Sequence, residues 1–221
     1  MARVAWGIMS HALPRPENLA RSVLHVGAAA AALVLLVTVP RVELAWLAAA
    51  SAVGCWGLEV SRRRYASVNG LLMRRLGRFA HPHEHVRVNS GTWYATALAI
   101  LAVCVPAWAA AAAIGVLGVG DPAAGTVGRR WGRTRLAHGR SLEGSLAFAV
   151  CGALAAGWAL QVGWPEIPRV TAWTIATGAA VVGATTEVVV RAVDDNLSVP
   201  VMAAAAAWAV MLVVEGARWV G

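Results

Sequence analysis

The chain has few charged residues and few cysteines, and each shortage argues against a class of protein. Only 14% of its 221 residues are charged and 59% are hydrophobic, and the mean hydropathy is +0.63. A soluble domain is about 25% charged, so the composition indicates an integral membrane protein. The three cysteines, Cys55, Cys104 and Cys151, are isolated within apolar runs. That placement argues against a disulfide framework and against a zinc site.

Lysine is absent as well, since all 19 basic residues are arginine, and the formal charge is +8. In a soluble chain this charge would favour nucleic acid as a partner, but here the arginines lie in short segments between apolar runs. We therefore interpret them as topology signals and as contacts to anionic lipid head groups or nucleotides, and expect no nucleic acid. Met1 to Leu19 lacks an apolar core of the usual length, so no cleavable signal peptide is expected.

The apolar runs predict an all-α integral membrane protein with a bundle of about seven transmembrane helices, six being the alternative. The clear runs are 23–40, 44–60, 142–162, 170–190 and 199–214. Residues 92–119 are apolar and interrupted only by Pro106. A single helix there would measure roughly 42 Å, longer than the ~30 Å hydrocarbon core. A hairpin of two helices turning near Pro106 is therefore favoured.

Arginine counting predicts the orientation. Arginine-rich loops stay in the cytoplasm, which places the N-terminus, residues 1–16 and the loops 61–90 and 120–141 on the cytoplasmic side. Residues 62–80 have the pattern of a basic amphipathic helix on the membrane surface. No repeat, soluble domain or long linker divides the chain, so 1–221 is expected to be one transmembrane domain.

This topology brings scattered polar residues to one level at the cytoplasmic interface. In chain order they are Arg21, His25, Glu59, Asn89, Thr92, Asp121, Arg140, Ser141, Glu143, Glu187, Asp194, Asp195 and Asn196. Carboxylates can hold Mg²⁺, while arginines and helix N-termini can hold phosphates. Simpler roles stay open: Asp121 as a helix cap, Glu187 as the ion-pair partner of Arg191, and His25 as a packed histidine.

Three motifs, in this order, resemble the polyprenol kinase family of CTP-dependent lipid kinases, which includes dolichol kinase, phytol kinase and yeast-type diacylglycerol kinase. They are G-D-x-x-A-x-x-V-G-R-R-x-G at 120–132, R-S-L-E-G-S at 140–145 and D-D-N-L-x-x-P at 194–200. Residues 21–25 are similar to the family's R-K-x-x-H opening, and Glu84 with 89–94 to its E…N-G-A-T-Y-Y segment. Ser22 and Arg140 stand where the family has lysine.

The resemblance implies that the γ-phosphoryl group of CTP is transferred, with Mg²⁺, to the hydroxyl of a lipid alcohol such as a polyprenol, phytol or diacylglycerol. We expect the protein to lie in the cell (inner) membrane, in contact with membrane lipids and with its site on the cytoplasmic face. A homodimer is one option for its oligomeric state. One alternative is CDP-lipid synthesis of the phosphatidate cytidylyltransferase type, to which the family is distantly similar. A lower alternative is an anion transporter that uses the arginines as a vestibule.

On this hypothesis each polar residue takes a role. The predicted catalytic residues are Asp121, Glu143 and Asp195, and the predicted magnesium ligands are Asp121, Glu187, Asp194 and Asp195. Nucleotide and phosphate contacts are assigned to Arg21, Asn89, Thr92, Gly120, Gly128, Arg129, Arg130, Arg140, Ser141 and Gly144. Further candidates are His25, Glu84 and Asn196.

Overall fold

The described part of the chain is built from α-helices. The computed structural model describes residues 19–76 and 88–220, with side chains over 19–75 and 88–216. In these ranges the helices are α1 Leu19–Thr38, α2 Arg41–Arg64, α3 Ala66–Leu76, α4 Ser90–Cys104, α5 Ala107–Trp131, α6 Leu142–Gly163, α7 Arg169–Val189 and α8 Asp195–Val220. Six of them, all except α3 and α4, are long and apolar enough to cross a membrane. The predicted all-α architecture is confirmed for these residues, and the apolar helices indicate a membrane-embedded protein.

Proline marks three of the helix junctions. Pro40, Pro106 and Pro168 are the N-cap residues of α2, α5 and α7. Proline has no N–H and disfavours helical backbone in the residue before it, so one helix ends there and the next can begin. The break at Pro106 confirms that 92–119 contains two helices. With 15 residues, α4 is only about 22 Å long, shorter than the hydrocarbon core.

Helix α5 lies at the centre of the bundle and packs against α1, α6, α7 and α8. Ten consecutive residues, Ala109–Gly118, are buried. Alanine and glycine let membrane helices approach closely, and this close packing replaces the hydrophobic drive that is absent between helices in lipid. Helices α1 and α2, by contrast, are mostly exposed. They lie at the edge of the bundle, where bilayer lipid would surround them.

Helices α5 and α6 cross with their backbones in contact. A Cβ placed on Gly144 would lie 3.0 Å from the Ala124 carbonyl oxygen and 3.2 Å from the Gly128 Cα. The two backbones therefore touch, which only glycine permits. This contact explains why α5 continues to Trp131 although the sequence predicted a loop from residue 120, since tertiary packing overrides the weak helix propensity of glycine and of Pro122. The prediction of a loop over 120–141 is wrong in its first half, and the connection spans only 132–141.

Part of the range predicted as a surface helix, 62–80, is helical. Helix α2 continues through the three arginines at 62–64, and a separate helix, α3, follows after Tyr65. Helix α3 lies within the predicted range and has Arg74 and Arg75 in its last turn. Residues 1–18 and 77–87, and with them the candidate Glu84, lie outside the described residues.

Candidate functional site

Three polar side chains from different helices meet at one end of the bundle. The rings of His25 on α1 and Tyr94 on α4 lie 5.7 Å apart between centroids. The carboxylate of Asp121 on α5 and the guanidinium of Arg21 are both near enough to act electrostatically on His25. We call His25, Tyr94 and Asp121 the interior polar cluster. The sequence predicted His25 and Asp121 at one level, and the structure brings them together.

The interior polar cluster has unused hydrogen-bonding capacity. His25 Nε2 and Tyr94 Oη are buried and have no hydrogen-bond partner among the described residues, and the same holds for Ser145 Oγ near the start of α6. Within that part of the chain, no hydrogen bond or ion pair reaches the Asp121 carboxylate either. Buried polar atoms are normally paired, so this end of the bundle can accept a polar ligand. Tyr94 Oη and Ser145 were not assigned from the sequence, although Tyr94 is one of only two tyrosines.

Arg140, a predicted phosphate contact, joins carboxylates of two other helices. Its guanidinium lies 2.6 Å from Glu187 Oε1 near the end of α7. It also binds Asp195 Oδ2 in the first turn of α8. We call Arg140, Glu187 and Asp195 the arginine clamp. Because the Glu187 side chain is only 1% exposed, the clamp is an interior contact that ties the start of α6 to α7 and α8.

The carboxylates predicted as magnesium ligands do not form a cage. Among residues 19–76 and 88–220, no three His, Cys, Asp or Glu side chains are grouped as metal ligands. Two of the four predicted ligands belong to the arginine clamp. A third, Asp194, caps α8: its Oδ1 accepts the backbone N–H of Asn196 at 3.0 Å and the side-chain amide of Asn196 at 2.8 Å. The described residues therefore do not fit a magnesium site made of protein ligands alone.

Glu143 and Ser141 build the connection between α5 and α6. The Glu143 carboxylate accepts the backbone N–H of Thr134, at 3.0 Å to one oxygen and 3.3 Å to the other. The Ser141 hydroxyl caps α6 by accepting the Gly144 N–H at 3.1 Å. Glu143, which the sequence predicted to be catalytic, therefore binds the backbone of the connection. Ser141, which it predicted to bind phosphate, binds the first turn of α6.

The same connection turns sharply at Ala137–Gly139. His138 and Gly139 have φ of 71° and 76°, the left-handed backbone on which tight two-residue turns depend. The Leu136 N–H donates to the Arg140 carbonyl at 2.9 Å and closes the turn. The turn makes a compact finger of the segment 132–141.

Four arginines on and before this finger have no acidic partner in the part of the chain that the structure describes. Arg129 and Arg130 end α5, Arg133 and Arg135 lie on the finger, and all four are exposed. None forms an ion pair with a residue that the structure describes. We call these four the open arginines. Concentrated positive charge of this kind suits phosphate groups. The sequence assigned only Arg129 and Arg130, although the R-x-R spacing at 133–135 was visible.

A buried carboxylate near the end of α2, Glu59, is paired with arginines of its own helix and also bonds the start of α4. Glu59 is buried and accepts Arg62 at 2.8 Å and Arg63 at 2.7 Å. It also accepts the backbone N–H of Asn89 at 3.3 Å. Asn89, a predicted nucleotide contact, caps α4 by accepting a backbone N–H of the first turn at 2.8 Å. Asn89 therefore serves the α2–α4 junction, and Thr92 is buried in the first turn of α4.

The glycines predicted to admit phosphates lie instead against a neighbouring helix. A Cβ on Gly120 would lie 3.0 Å from the Phe148 ring, and one on Gly128 would lie 3.1 Å from Ser141 Oγ. Backbone N–H groups beyond the first turn of a helix are used by the helix itself. Gly120 and Gly128 therefore have no free N–H for a phosphate, and the Gly144 N–H is bound by Ser141.

No family model, curated protein or solved structure matches the chain. The resemblance to the polyprenol kinases thus rests on the motifs quoted above. What the fold and site themselves define is a helical, membrane-embedded protein in which, among the described residues, the Asp121 carboxylate has no ion-pair partner and His25 Nε2 has no hydrogen-bond partner.

Proposed function

We propose that the protein phosphorylates the hydroxyl of a membrane lipid alcohol with CTP as the donor. The observation that carries the proposal is the geometry of one face of α5. Asp121, Gly125 and Arg129 follow each other at intervals of one turn, and the Arg129 guanidinium folds back over Gly125, where a Cβ would lie only 3.0 Å from its Nη1. A phosphate held by Arg129 would thus lie about one turn, roughly 6 Å, from Asp121.

The proposed reaction divides its tasks between the interior polar cluster and the open arginines. The lipid hydroxyl oxygen attacks the γ-phosphorus of CTP, an O–P bond forms, and the bond from the γ-phosphorus to the bridging oxygen breaks and releases CDP. The hydroxyl proton passes to the Asp121 carboxylate, with His25 Nε2 of the same cluster as a second acceptor. The open arginines neutralise the phosphate oxygens and hold the chain of phosphates in line.

Three further elements of the proposal come from the sequence. CTP as the nucleotide follows from the motif resemblance, and the cytoplasmic face of the cell membrane follows from the arginine distribution. Mg²⁺ would enter with the nucleotide, since magnesium usually binds one or two carboxylates together with substrate phosphates. Glu143 and Asp195 are reassigned as positioning residues, because their carboxylates hold the finger and the arginine clamp.

The experiment compares Asp121→Asn with Glu166→Gln in purified protein in detergent. Glu166 is an exposed carboxylate beyond the other end of α6 and serves as the matched control. Both variants and the native protein receive Mg²⁺, each of four γ-labelled nucleotides, and phytol, a polyprenol or diacylglycerol. A general base contributes roughly 10²–10⁴-fold to rate, so Asp121→Asn should lower kcat at least about 100-fold while Glu166→Gln leaves it unchanged.

The products separate the proposal from its alternatives. A lipid kinase releases CDP and labels the lipid. A cytidylyltransferase acting on a phosphorylated lipid releases pyrophosphate, and a transporter yields neither product. Native turnover in Asp121→Asn, or no labelled lipid with any nucleotide, would contradict the proposal.

A further inference from the structure

A cavity of about 330 Å³ lies between α1, α2, α4 and α5. Its walls are apolar, with Leu36, Leu47, Leu98 and Ile114 among the larger side chains. The polar residue in its lining is Ser51, whose hydroxyl donates to the Leu47 carbonyl at 2.8 Å. The wall therefore offers little to water, and an apolar occupant is favoured.

The cavity is accessible from the side of the bundle. Helix α1 packs on α5, where a Cβ on Gly118 would lie 2.2 Å from the Ala29 Cβ, but it touches α2 only slightly. This leaves a gap between α1 and α2, and both helices are long and apolar enough to cross a membrane. At that depth the surrounding medium is hydrocarbon, so a lipid chain can enter without crossing water.

The cavity also has a fixed position relative to the interior polar cluster. On α1 the cavity begins at Ala32, two turns beyond His25, and on α5 it ends at Ile114, two turns before Asp121. Two turns correspond to about 10 Å. On α4, Ala95 in the lining directly follows Tyr94. A lipid with its hydroxyl at the cluster would therefore have its chain directed into the cavity.

We propose that this cavity holds one hydrocarbon chain of the acceptor lipid, and that the acceptor is a single-chain alcohol of isoprenoid or fatty type. The placement of the hydroxyl rests on the proposed function. The volume is about twice the ~150 Å³ of an apolar cavity that holds one benzene, which gives room for roughly a dozen carbon atoms of one chain. The second chain of diacylglycerol has no place there.

Photolabelling tests the chain site without requiring turnover. The probe is a long-chain saturated alcohol with a diazirine near the end of the chain, added to the full protein in detergent. Ala48→Phe fills the cavity from α2, and Ala50→Phe, at an exposed position of the same helix, is the matched control. We expect label in peptides of α2 and α4, reduced about tenfold in Ala48→Phe, because displacing roughly two methylene groups from an apolar site costs that factor in affinity. Equal labelling of Ala48→Phe and native protein, or label confined to other helices, overturns the inference.

Kinetics separate this inference from the proposed function. A tenfold higher KM for the single-chain alcohol in Ala48→Phe, with native kcat, supports both. Labelling at α2 and α4 without phosphoryl transfer supports the chain site and overturns the kinase proposal. Transfer with a native KM in Ala48→Phe overturns the chain site and leaves the kinase proposal in place. Diacylglycerol phosphorylated as efficiently as the single-chain alcohol overturns the acceptor class.

Discussion

Replacing Arg140 by glutamine is expected to loosen the helix bundle, because the arginine clamp joins three helices. Removing one partner of a buried ion pair costs about 3–5 kcal/mol, since the other charge stays buried. Glu187 is 1% exposed but Arg140 is 19% exposed, so we expect a cost at the lower end, about 3 kcal/mol. Asp195 is 32% exposed, and Asp195→Asn should cost less, about 1 kcal/mol.

The assay is thermal unfolding in detergent followed by tryptophan fluorescence. For a chain of this size a loss of 1 kcal/mol lowers Tm by roughly 2–4 °C, so Arg140→Gln should unfold roughly 6–12 °C below the native protein. The double variant Arg140→Gln/Glu187→Gln removes both buried charges. It should therefore lose less stability than the two single variants added together.

Two results would refute this reasoning. If Arg140→Gln unfolds at the native temperature while the KM for nucleotide rises about tenfold, Arg140 binds phosphate as the sequence predicted and the clamp adds nothing to stability. If the losses of Arg140→Gln and Glu187→Gln simply add in the double variant, the two side chains are not coupled.

Three glycine substitutions distinguish packing from chemistry. Gly144→Ala forces apart the touching backbones of α5 and α6 and should lower the free energy of unfolding by about 1–3 kcal/mol. Gly57→Ala, with nothing within 4 Å of its Cβ, should instead raise it by about 0.5–1 kcal/mol. Equal unfolding temperatures of these two variants would contradict the backbone contact between α5 and α6. Gly125→Ala should displace the Arg129 guanidinium and raise the KM for nucleotide several-fold at unchanged Tm, and a native KM would show that this arginine does not hold the donor.

The sequence predicts the helices well, because their causes are local. Apolar length identifies the long helices, and Pro106 identifies the break within 92–119. The sequence does not predict where α5 ends. Glycine and Pro122 disfavour a helix over 120–131, and only the backbone contact with Gly144 of α6 explains why the helix persists there. That contact joins residues far apart in the chain, so no local pattern reveals it.

The site is predicted less completely, for a similar reason. The sequence places acids and arginines at one level, but it does not say which of them neutralise each other. Arg140 forms ion pairs with Glu187 and Asp195, whereas Asp121 has no ion-pair partner among the described residues. The sequence alone does not distinguish the charged residues that form ion pairs from those that do not. Pairing depends on helix rotation and crossing, which the tertiary structure sets.

The glycine-rich motif at 120–132 therefore forms two neighbouring stripes on one helix, one that packs against α6 and one that bears charged side chains. Gly120, Ala124 and Gly128, spaced four apart, face α6 and fix how close the two helices come. Asp121, Gly125 and Arg129, one position further, form the adjacent stripe, since residues four apart lie on one face. The first stripe cannot vary without moving α6. The second stripe places a carboxylate that has no ion-pair partner among the described residues one turn from a guanidinium. The motif at 120–132 is thus largely helical, and the packing of its first stripe on α6 sets the position of the stripe that bears Asp121 and Arg129.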